Sequence, residues 1–162
     1  MKPVLQALLV ADRIYQDKAT GKTIVAGVFR SLYFKKREDV QAELIKKGHE
    51  RVIRGGMVTG SPYAYVSLTD IRGEQEFTLR YVYLNEDRSI FETKIRAKST
   101  DPLAFVDFIV ALPNLPTEPA GVYALELIWN DTPAGTPIGS FRIHVQELTF
   151  QGEDDDSSRS ID

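Results

Sequence analysis

The chain has no cysteine, and its 162 residues include only two histidines, His49 and His144. Without cysteine there is no disulfide framework and no thiolate zinc site, which fits a reducing, cytoplasmic setting. Two histidines leave almost nothing from which to build a multi-histidine metal centre. No apolar run approaches the ~18 residues of a membrane-spanning helix. The body also lacks an excess of either charge. The net charge of −3 is carried by the last twelve residues, QGEDDDSSRSID, which hold five acids and one arginine. The preceding 150 residues contain 18 acids and 19 bases. A neutral body argues against nucleic-acid binding, which depends on neutralising phosphates. These absences predict no cofactor, no metal, no nucleic acid and no membrane.

What is present begins with TGKT at positions 20–23, which ends like a phosphate-binding loop. Such a loop needs a glycine five residues before Gly21, and that position is Gln16. It also needs a helix to follow, to complete the anion site with its N-terminal N–H groups. Instead Thr23-Ile24-Val25-Ala26-Gly27-Val28-Phe29 follows, rich in β-branched residues. The segment from Asp17 to Lys22 therefore reads as a hairpin turn with Gly21 at positive φ.

The turn joins two expected strands. Val4 to Tyr15 is apolar on both faces, Leu5, Ala7, Leu9 and Ala11 on one and Val4, Leu8, Val10 and Ile14 on the other. That pattern predicts a central strand covered on both sides. MKPVLQALLVA runs into Asp12-Arg13-Ile14-Tyr15 without a break, so it reads as this strand and not as a leader. Ile24 to Phe34 returns as the second strand. Glu38 to Lys47 follows as a short helix, with acids in its first turn, lysines in its last and Gly48 to end it.

After the glycine-bearing stretch RVIRGGMVTGSP, alternation resumes. Tyr63 to Thr69 and Glu76 to Leu84 are strands. Ile90 to Lys98 has the cleanest period of two, with Phe91, Thr93, Ile95 and Ala97 inward. Phe105 to Leu112 reads as a buried strand or a short helix. Gly121 to Trp129 and Ile138 to Phe150 make a last hairpin. These segments predict a single antiparallel β-sandwich, immunoglobulin-like, of about eight strands with one helix near 38–47. The sandwich occupies 1–150, and 151–162 reads as a disordered acidic tail. Asp154-Asp155-Asp156 offers oxygen ligands, but a calcium site also needs a rigid loop to arrange them.

Three surface features bear on function. Gly121-Val122-Tyr123 places a tyrosine as in the tyrosine corner of immunoglobulin-like sandwiches, where the hydroxyl returns to the backbone. Lys94, Arg96 and Lys98 share one face of a strand, Arg80 joins them from the neighbouring strand, and Arg142 and His144 face outward from the last. This basic group suits an acidic partner or the chain's own tail, although Glu76 and Glu92 interrupt it. Tyr63, Tyr65 and Trp129 offer aromatic platforms for a small ligand or a carbohydrate. Neither histidine lies in a serine-nucleophile motif, so no enzyme is expected.

The opening stretch ALLVADRIYQDKATGKTIVAGVFRSL resembles a family of small bacterial proteins of unestablished function. Their pattern is an alanine-rich strand, a Thr-Gly-Lys turn and an Ile/Val-x-Gly-Val/Thr-Phe strand. Asp101-Pro102, Leu112-Pro113-Asn114-Leu115 and Gly121-Val122-Tyr123 resemble the family's second half, so the likeness covers most of residues 4–147. It implies a one-domain sandwich with no catalytic residues, to which the tail is an addition. The expected function is a non-enzymatic interaction module binding another protein. The alternative is an aromatic-lined small-ligand or carbohydrate binder. Pairing through an edge strand would make a homodimer.

Overall fold

The computed structural model describes residues 2–34, 61–115 and 119–148, together with Ala42 and Lys46, both helical. Apart from those two positions, the helix expected at 38–47 lies outside the described residues, as does the tail at 151–162. Among the described residues there are nine strands. They are β1 (Val4–Gln16), β2 (Thr23–Val28), β3 (Ser31–Phe34), β4 (Tyr63–Thr69), β5 (Gly73–Tyr83), β6 (Arg88–Ser99), β7 (Val106–Ala111), β8 (Gly121–Trp129) and β9 (Thr136–Glu147). No helix among the described residues is long and apolar enough to cross a membrane.

The strands form two sheets, in the orders β2-β1-β4-β7 and β3-β9-β8-β5-β6. Alternation makes the core. Leu8 and Val10 of β1 and Ala64, Val66 and Leu68 of β4 face Phe77, Leu79 and Tyr81 of β5, Tyr123, Leu125 and Leu127 of β8, and Ile143 and Val145 of β9. The turn at 17–22 is the expected hairpin. Asp17 N–H donates to the Lys22 carbonyl at 2.8 Å, Gly21 N–H to that of Asp17 at 2.7 Å, and Gly21 has φ +68°. Hydrogen bonds from Thr20 Oγ1 and Ala19 N–H hold the Asp17 carboxyl below the usual carboxylate range.

Four expectations need correction. The run from Ile24 to Phe34 is not one strand. β2 pairs with β1, and then the chain crosses to the other sheet, where β3 pairs with β9. Phe29 N–H donates to the Val10 carbonyl and Arg30 accepts from His144 N–H at 2.8 Å, so the change of partner falls between these two residues. The segments on both sides of the crossing are apolar and strand-prone, so the brief polar interruption at Arg30 and Ser31 does not by itself separate two strands. The β3–β9 pairing is also parallel, in a sandwich whose other pairings are antiparallel. β1 is central in its sheet, but Val4 and Tyr15 on its outer face are 45% and 52% exposed. β7 is an edge strand with Asp107, Ile109 and Ala111 turned to solvent, not a buried element.

The tyrosine corner is present. Tyr123 is fully buried, and its hydroxyl donates to the Pro119 carbonyl at 2.7 Å. Tyr83 does the same to Ala120 at 3.2 Å. Gly121 lies so close beneath Tyr83 that a Cβ there would come within 2.7 Å of the ring. Tyr81 stacks on Tyr123 with ring centroids 5.3 Å apart, yet its own buried hydroxyl has no hydrogen-bond partner among the described residues. Burial pushes that hydroxyl's pKa far up.

Candidate functional site

The six basic residues singled out in the sequence all project from the outer face of the β3-β9-β8-β5-β6 sheet. Register explains this. Lys94, Arg96 and Lys98 of β6 sit beside Thr78, Glu76 and Glu74 of β5, and Arg80 of β5 sits between Glu92 and Glu126. On β9, Arg142 sits beside Ala124 and His144 beside Val122 of β8.

Those neighbours divide the face into two flanks of different character. On the β5–β6 flank the cations are answered by carboxylates. Arg80 Nε and Nη2 both donate to Glu126 Oε2, at 3.2 and 2.8 Å. Lys94 Nζ lies 2.8 Å from Glu76 Oε1, and Arg96 Nε lies 3.6 Å from Glu76 Oε2. Asn130 Nδ2 adds a bond of 3.2 Å to Glu76. These donors, the Lys94 ammonium first, hold the Glu76 carboxyl below the usual glutamate range.

On the β9 flank no carboxylate among the described residues stands directly opposite Arg142 or His144; Glu126 lies across from Ser140 but is held by Arg80. Across β8 and β5 the row beside Arg142 is Ala124 and Val82. Arg30, which the sequence reading passed over, enters here from the crossing between β2 and β3. Its guanidinium carbon lies 5.9 Å from the centroid of the Phe141 ring, within cation–π range. Arg30, Ser140, Phe141, Arg142 and His144 line a hollow of about 290 Å³. Among the described residues, no acid forms an ion pair with Arg30, Arg142 or His144.

The other candidates carry less chemistry. A cleft of about 820 Å³ lies beside the same crossing, lined by Asp12, Arg13, Phe29, Leu32, Ser61, Pro62 and Tyr63. Among the described residues it brings together one acid and one base. On the outer face of the other sheet, Ser67 Oγ donates to Asp107 Oδ1 at 2.6 Å beside Tyr65. Burial pushes the Tyr65 hydroxyl's pKa up, and the Asp107 charge adds to this. Among the described residues no histidine is hydrogen-bonded to the pair, as a serine nucleophile's base would be. Among the described residues, no group of three or more potential metal ligands occurs.

The three aromatics do not all share one surface. Tyr63 and Tyr65 face outward on β4, but Trp129 pairs with Phe77 in the inward row of the other sheet and packs on the core. No protein-family model matches the chain, and no curated protein matches it.

Proposed function

We infer that the protein is a non-enzymatic interaction module, and that it engages an acidic partner protein through the β9 flank of its larger sheet. One observation carries this reading. Arg30, Arg142 and His144 converge on one hollow without ion-paired carboxylates among the described residues, whereas Arg80, Lys94 and Arg96 on the same face are neutralised. An uncompensated cationic cluster attracts and orients an acidic surface, while a neutralised one has little field left to offer. The cysteine-free composition suits a cytoplasmic setting for this role. The inward position of Trp129 takes the largest aromatic away from the ligand-binding alternative.

Capture from the native lysate tests the reading with two charge-reversed baits beside the natural protein. One carries Arg30→Glu and Arg142→Glu, the other Lys94→Glu and Lys98→Glu. A partner kept by the second bait and lost by the first is the expected result. A partner lost equally by both, or kept by both, overturns the assignment to the β9 flank.

A further inference from the structure

The hollow lies against a strand edge that is only half used. β3 pairs with β9 over four residues, Ser31 to Phe34 against His144 to Glu147. Before Ser31 the chain has crossed to the other sheet, so among the described residues nothing pairs with β9 on that side from Ser140 to Ile143. The direction of the backbone groups there follows from their neighbours. His144 N–H donates to Arg30 and Leu148 N–H to Phe34, both toward the β3 side. In a strand this direction alternates from one residue to the next. The β8–β9 register is unbroken from Val145 down to Gly139, so the N–H and C=O groups of Arg142 and Ser140 turn the same way, into the hollow. Arg142, His144 and Ser140 are exposed, and their side chains stand on the outer face beside that edge.

An unpaired edge accepts an extended chain through main-chain hydrogen bonds, and the side chains beside it choose the sequence. Here those side chains include Arg30, Arg142 and His144. We propose that the open half of β9, from Ser140 to Ile143, takes an acidic extended segment of a partner protein as an added strand in line with β3. This rests on the interaction-module reading and specifies how the partner binds. Main-chain bonding to Ser140 and Arg142 supplies register, and Arg30, Arg142 and His144 supply the preference for glutamate or aspartate on the outward positions.

The test is fluorescence anisotropy with the full chain and a labelled peptide of alternating glutamate and valine. Two further peptides carry N-methyl groups on all the glutamate amides or on all the valine amides. An added strand points alternate N–H groups at β9, so one methylated peptide should bind as the parent does and the other should lose at least about tenfold. Arg142→Glu should weaken the parent peptide by about tenfold or more. Ser140→Pro removes one edge donor at a position where edge strands tolerate proline, and should weaken it at least about fivefold. Should Ser140→Pro not fold, as judged by circular dichroism, the methylated pair decides alone.

Salt-sensitive binding that ignores both methylation patterns would overturn strand addition while leaving the charge-based module standing. An absence of binding by any acidic peptide, with lysate capture lost equally by both reversed baits, would remove the module reading as well. Concentration-dependent self-association of the full chain that the peptide competes away would overturn the choice of occupant. The chain's own acidic end, from a second copy, would then be filling the edge.

Discussion

The two flanks of the β3-β9-β8-β5-β6 sheet are built from the same kinds of residue and end up with opposite properties. β5 and β6 pair over their whole lengths, from Gly73 against Ser99 to Tyr83 against Arg88, and β5 is also paired with β8 on its other side. Each strand of that hairpin sets its charges opposite the other's, so Glu76 meets Lys94 and Arg96. β9 is paired along β8, but on its other side, among the described residues, only from His144 onward, and Arg142 and His144 stand beside Ala124 and Val122. A basic residue is thus a local structural element on one flank, whereas on the other it has no ion-paired acid among the described residues. The neighbour across the ladder makes the difference, not the residue type.

The largest effect that would break this comparison is in amide exchange. In native-state exchange followed by NMR, the amides of Ser140 and Arg142 should exchange at least ~100-fold faster than those of Leu79 and Tyr81, which lie on a strand paired on both sides. Equal protection would mean that the β9 edge is covered. Next in size is charge reversal. Lys98→Glu should change acidic-peptide affinity by less than about twofold, against about tenfold for Arg142→Glu, because the β6 cations are already screened by acids.

A third test addresses the stacked tyrosines that join the flanks beneath the surface. Tyr123→Phe should cost about 1–2 kcal/mol in chemical denaturation, since it orphans the Pro119 carbonyl. Tyr81→Phe should cost nothing or stabilise slightly, because its buried hydroxyl has no hydrogen-bond partner among the described residues.

The smallest effect is that of pH. Glu76 is held below its ordinary value in the fold, so its contribution to stability is present above the unfolded value and is lost as pH falls through the folded one. In thermal melts below about pH 4.5 the natural protein should therefore lose slightly more than Glu76→Gln, by no more than about 2 °C.

Much of the sandwich was legible in advance. Phe77, Leu79, Tyr81 and Tyr83 alternate inward as written, as do Phe91, Ile95 and Ala97, because one covered face imposes a period of two on the residues themselves. The turn at Gly21 and the corner at Tyr123 were equally readable, since each depends on residues only a few positions apart. The six basic residues were correctly placed on one outer face for the same reason. Their division into flanks was not readable. It depends on which strand lies beside which, and Glu126, the partner of Arg80, is 46 positions away along the chain. Arg30 was missed because Ile24 to Phe34 reads as one strand, with nothing to mark the change of partner between Phe29 and Arg30.

By itself, then, the sequence determined the class of the fold, the inward and outward sides of most strands, and the absence of cysteine from any chemistry the protein performs. These are properties of residue type and short-range periodicity, which each segment carries with it. Tertiary structure alone decided that β3 leaves β2's sheet, that it runs parallel to β9, and that it stops pairing at His144. Those outcomes arise from contacts between segments more than a hundred residues apart. Among the described residues they left one stretch of edge unpaired and set two arginines and a histidine around it.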